Sequence, residues 1–110
     1  MFTVIYIFKR KPEITRDHFL EAYEEHRQVM IESARGLISY TQNPTTAPQS
    51  VGGIVSNTGN SEFDAVSIYT YRNQEDAEFT SGLVAVEIDS ARFIDFTTII
   101  TLTVTPVIVR

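Results

Sequence analysis

The chain has 110 residues, of which 43% are hydrophobic and 11% aromatic, enough for one globular domain with one modest core and too few for two. Nine Lys and Arg against fourteen Asp and Glu give a formal net charge of -5, which argues against nucleic acid or another polyanion as partner. With no cysteine, disulfides, zinc–thiolate sites and thiol nucleophiles are excluded, and with only His18 and His26 no multi-histidine metal site is expected within a single chain. No Gly-x-Gly-x-x-Gly, phosphate-binding loop or nucleophile elbow occurs, and no bound cofactor is expected.

Phe2 to Lys9 is rich in β-branched and aromatic residues and predicts a strand. The charges of "KRK", Lys9 to Lys11, follow this apolar run instead of preceding it, and no small-residue cleavage site comes next, so the start does not read as a secretory signal. Pro12 ends the strand, Thr15 is a good N-cap, and a helix is expected from about Arg16 to Ala34 with Gly36 as its C′ residue. "LISYTQNP" predicts a second strand stopped by Pro44.

From Thr45 to Glu62 the composition shifts to Pro, Gly, Ser, Thr and Asn, a long loop suited to a lid, a partner contact or a surface insertion, with "GGIV" able to pair briefly within it. A third strand, "FDAVSIYTYR", follows. Asn73 caps a second helix, "QEDAEFTS", with Asp76 placed like the acid of a capping box. Gly82 interrupts it, and "LVAVEIDSARFIDF" continues as a broken helical segment that Asp89 can recap. Thr97 to Val109 alternates threonine with Ile100, Leu102 and Val104 and predicts the last strand. No stretch approaches ~20 apolar residues, so no membrane contact is expected and the chain reads as cytoplasmic.

The order β-α-β, loop, β-α-β is the split βαβ pattern of a ferredoxin-like α+β fold, a single domain over residues 1–110 with a four-stranded antiparallel sheet and both helices on one face. In the first and third strands Tyr6 and Phe8 alternate with Ile5 and Ile7, and Tyr69 and Tyr71 with Val66 and Ile68, so neither face is clearly polar. A second copy of the same sheet is the simplest cover for the open face, because burying apolar area drives association. The expectation is a homodimer.

Phe19, Tyr23, His26 and Met30 fall at spacings of four, three and four, on one stripe of the first helix, while Glu21, Glu24, Glu25 and Gln28 take the other side. An ionisable imidazole thus lies on the face that should be buried, either as a hydrogen-bonded core residue or looking into a cavity.

Four segments carry a resemblance to the EthD-like family of dimeric α+β barrels: "FKRKPEITRDHF", "AYEEHRQVM", "ISYTQNP" and "DSARFIDF", in the family's order and over nearly the whole chain. A proline that the family carries soon after the histidine is absent from "HRQVM". The resemblance implies two sheets closing into a barrel and, in each subunit, a cavity onto which the helix histidine faces. Relatives of this kind include cofactor-independent monooxygenases, lactone isomerases, and decarboxylases or cyclases acting on aromatics and polyketides.

His26 is the first candidate for chemistry, since imidazole titrates near neutrality and burial favours its neutral, basic form. Tyr69 and Tyr71 share one face of the third strand and are the expected catalytic partners, anchoring an oxygen on which charge builds up. Tyr6, Tyr23, Tyr40 and Met30 are expected to contact substrate, with Asp95 at the cavity rim or orienting His26. Asp89 and Arg92, three apart, are expected to pair structurally. The leading expectation is an enzyme moving a proton on a small hydrophobic aromatic or polyketide-like molecule, by decarboxylation, isomerisation, cyclisation or oxygenation. Its rival is a non-catalytic ligand-binding or accessory protein supporting an oxidative degradation pathway, with His26 in the core.

Overall fold

The chain forms β1 (Phe2–Arg10), α1 (Arg16–Ser33), β2 (Leu37–Pro44), β3 (Ala65–Tyr71), α2 (Gln74–Ser81), α3 (Val84–Ser90) and β4 (Ile94–Val104). These elements come from a computed structural model that describes residues 1–46 and 63–110. Nearly all of the expected loop from Thr45 to Glu62, "GGIV" included, lies outside the described residues. The strands make one antiparallel sheet in the order β2-β3-β1-β4, the ferredoxin-like layout.

Strand alternation sorts the two faces. On the helix side Val4 stands opposite Tyr69, Tyr6 opposite Ser67 and Phe8 opposite Ala65. On the other side Ile5 lies between Ile68 and Leu102, and Ile7 between Val66 and Ile100. Ile100, Leu102 and Val104 stay exposed there. The helix side closes over an aromatic cluster in which Phe8, Phe19, Tyr23 and Phe93 meet at ring separations of 5.4 to 6.3 Å. Burying each such ring stabilises the fold by roughly 1.5–3 kcal/mol.

Two carboxylates fasten the connections. Asp64, just before β3, accepts from Arg10 Nη1 at 2.8 Å and Arg16 Nη1 at 2.9 Å and so ties the end of β1 to the start of α1. Asp76 accepts from Arg35 Nε at 2.8 Å and from Arg72 Nη2 at 3.0 Å, joining the α1–β2 turn to α2.

Several boundaries differ from expectation for local reasons. Thr15 does cap α1, accepting from the His18 amide, and with no proline after His26 the helix runs on to Ser33. Its C-cap is Ala34, so Gly36 lies one position past C′; its φ of +66° instead makes the turn in which a Cβ would come 1.9 Å from Asp76 Oδ2. Asn73 caps α2 through the Asp76 amide, but the Asp76 carboxylate is taken by the two arginines and completes no capping box. Asp89 does not recap a helix: α3 ends at Ser90, and β4 begins at Ile94 and ends at Val104 instead of spanning Thr97 to Val109. Pro106 has no amide to donate to a ladder, and the tail beyond Val104 is exposed. Among the described residues no helix is long and apolar enough to cross a membrane.

Candidate active site

A cavity of about 200 Å³ lies between the helix face of the sheet and helices α1 and α3. His26 reaches it from the middle of the α1 stripe, with Tyr23 one turn before and Met30 one turn after; Tyr6 rises from β1, and Tyr69 and Tyr71 from β3. The rest of the lining is largely apolar, with Val86 from α3, Phe93 from the turn after it, and Phe96 and Ile99 from β4.

His26 is only 3% exposed and its ring packs edge-on against Phe93 at 5.2 Å. Its Nδ1 lies 2.6 Å from Asp89 Oδ2. Burial holds the imidazole pKa below its usual 6.5, outweighing the opposing pull of Asp89, so the ring is neutral near pH 7. Burial also pushes the Asp89 carboxyl up, but hydrogen bonds from Arg92 and His26 outweigh it and keep Asp89 ionised, below its ordinary value. A carboxylate can only accept, so the single ring hydrogen sits on Nδ1 and donates to Asp89. Nε2 is then a bare lone pair.

Nε2 has no hydrogen-bond partner among the described residues, and no buried side-chain nitrogen or oxygen among them is both enclosed and unpartnered. Nε2 therefore opens onto the cavity. Behind it the chain of charges continues outward, from Asp89 to Arg92 at 2.8 Å and from Arg92 to Glu25 at 3.2 Å.

The tyrosines differ in what holds their hydroxyls. Tyr23 shares a 2.6 Å hydrogen bond with Ser67, while the nearest polar groups to the Tyr71 and Tyr69 hydroxyls are those of Thr80 and Tyr40. Tyr6 has no partner among the described residues, and its hydroxyl is not enclosed. Burial raises the pKa of all four, which keeps them phenols and hydrogen-bond donors at neutral pH.

A family model, the EthD domain, matches residues 11–97. The chain belongs to the EthD family. Among solved structures, an EthD family protein from Bacillus halodurans C-125 is similar with a TM-score of 0.65 and 13% identity, over 97% of this chain and all (100%) of that one. A dimeric ferredoxin-like protein of unknown function from Bacteroides fragilis NCTC 9343 matches with a TM-score of 0.64 and 8% identity, over 94% of this chain and 93% of that one. An antibiotic biosynthesis monooxygenase matches with a TM-score of 0.59 and 14% identity, over 97% and 99% of the two chains. At these identities the likeness carries the fold alone. No curated protein matches the sequence closely enough to count as a relative.

In this EthD chain, then, six of the expected site residues meet at one cavity: His26, Tyr69, Tyr71, Tyr6, Tyr23 and Met30. Tyr40 and Asp95 do not line it. Tyr40 stacks on Tyr69 at 4.2 Å, and its hydroxyl accepts from Gln42 Nε2 on the β2 side. Asp95 is held at the start of β4 by its own neighbour, accepting from the Thr97 amide and hydroxyl. The carboxylate that orients His26 is Asp89. Its pairing with Arg92 is visible in the spacing, but nothing in the sequence points across 63 residues to His26.

Proposed function

We propose that this EthD chain is a cofactor-independent enzyme in which His26 Nε2 removes a proton from a small aromatic carbonyl or phenol compound. The observation that carries this reading is the neutral imidazole whose Nδ1–H is spoken for by Asp89 while Nε2 opens onto an apolar cavity. Asp89 fixes the ring tautomer and stabilises the imidazolium that forms as the proton is taken. Tyr6, the phenol with no partner among the described residues, donates to the substrate oxygen as negative charge builds up there. Tyr69 and Tyr71, beside Tyr40 and Thr80, shape the wall of the site. An enolate formed in this way leads to isomerisation, cyclisation or reaction with oxygen.

The same reading has the protein work in the cytoplasm as a homodimer, joined through the sheet face that carries Ile5, Ile7, Val66, Ile68, Ile100 and Leu102. Support comes from the apolarity of that face and from the dimeric ferredoxin-like protein it resembles. Sedimentation checks this: Ile68→Lys is expected to yield monomers where the native chain sediments as a dimer.

The chemistry is tested by following deuterium uptake into the benzylic position of phenylacetone in D2O by NMR. The native protein accelerates exchange, and His26→Ala loses at least about a hundredfold, the lower end of a general base's contribution. Equal exchange by both proteins removes His26 from the chemistry. Saturable binding of phenylacetone with no accelerated exchange favours the ligand-binding or accessory role.

A further inference from the structure

We infer that the cavity selects uncharged one-ring molecules and rejects carboxylates, which removes decarboxylation from the reactions open to this site. The inference rests on the reading of the cavity as a substrate site and names its substrate class.

Neither lysine nor arginine lines the cavity among the described residues. The segment of residues 47–62, "APQSVGGIVSNTGNSE", contains no Lys, Arg or His, so it has no cation to lend. The nearest arginine in the network, Arg92, is already divided between Asp89 and Glu25. A second copy packed on the open sheet face would lie across the sheet from the cavity. Among the described residues of the lining the one that is formally charged is Glu87, an exposed carboxylate of α3 at the mouth.

An anion entering this site would give up its hydration and meet a carboxylate at the mouth, with no cation to replace the lost water. A neutral ligand loses little and meets donors suited to it, the Tyr6 hydroxyl above all. Size narrows the class further. An apolar cavity of roughly 150 Å³ takes up benzene, and this one, at about 200 Å³, has room for one ring with a short polar substituent. A fused polyketide would have to leave most of itself outside.

The test uses a matched pair of the same shape, 4-chlorobenzamide and 4-chlorobenzoate, with dissociation constants read from protein chemical shifts at pH 7. The amide is expected to bind at least about tenfold more tightly than the benzoate, a difference of one decade in Kd. Glu87→Lys is expected to shrink or reverse that ratio. Benzoate binding as tightly as the amide overturns the proposal, as does the absence of binding by either compound. A ratio that Glu87→Lys leaves unchanged overturns the part given to Glu87. Phenylacetone exchange is scored separately, so loss of charge selection with exchange intact overturns this inference alone, and charge selection without exchange overturns only the proton-transfer reading.

Discussion

Asp76 and Asp89 are two carboxylates in nearly the same chemical company, yet they do different things. Each is largely buried and each holds an arginine at 2.8 Å. Asp76 has a second arginine, Arg72 at 3.0 Å, and Gly36 pressed against it, so each of its bonds ends in protein. Asp89 has the His26 imidazole at 2.6 Å, and that ring carries the polarity one step further to a nitrogen that faces the cavity. A carboxylate whose bonds all close on the fold is a fastening. One that closes on a half-free imidazole is, in the proposed reaction, part of a reagent. The difference lies in what stands beyond the first partner, and burial alone does not reveal it.

The largest separation between the two should appear in rate. Asp89→Asn keeps the shape and removes the charge, so part of the general-base contribution is lost, about tenfold or more in phenylacetone exchange. The acid limb of the pH–rate profile should also move to lower pH, because Asp89 is what raises His26's hold on a proton against burial. An unchanged rate and profile would make Asp89 a second fastening, and the contrast would collapse.

The converse variant should act on stability and leave the rate alone. Asp76→Ala frees two arginines whose side chains are 40% and 64% exposed, so both can turn to water. The cost is therefore expected below the roughly 3–5 kcal/mol of a fully buried pair, at about 2 kcal/mol in urea denaturation. Exchange per folded molecule is expected to stay at the native level, since Asp76 lines no part of the cavity. A rate loss as large as that of Asp89→Asn would show that the fastening reaches the site.

The sequence carried the element order, the antiparallel sheet and most of the cavity wall, because these rest on periodicity. Phe19, Tyr23, His26 and Met30 announce their face by helical spacing, and Tyr69 and Tyr71 by strand alternation. What it left open depends on contacts between elements. Asp89 lies 63 residues from His26 and meets it only because α3 packs against α1. Asp95 was the other acid near the end of that segment, and spacing gives no way to choose between them. Tyr40 has the same strand composition as the lining tyrosines, but β2 is the edge strand next to β3, and its ring stacks on the far side of Tyr69.

The smallest effect is a pH dependence of stability confined to the Asp89 side. His26 is held neutral in the fold, with a pKa below the 6.5 it has when exposed, so the unfolded chain binds the extra proton first as the solution is acidified. Stability contributed by the neutral ring is therefore fully present above about pH 6.5 and declines as pH falls from there toward the lowered folded value. Asp89, held below its ordinary 3.8, adds loss of the same sign only at still lower pH. Urea midpoints measured between pH 7.5 and pH 5 should thus drop on the acid side in the native chain and flatten in His26→Phe, which removes the titrating group. Asp76→Ala should keep the native slope while lying below it throughout. A slope that survives in His26→Phe would place the titration elsewhere, and the neutral state of the imidazole, on which its role as a base depends, would lose its support.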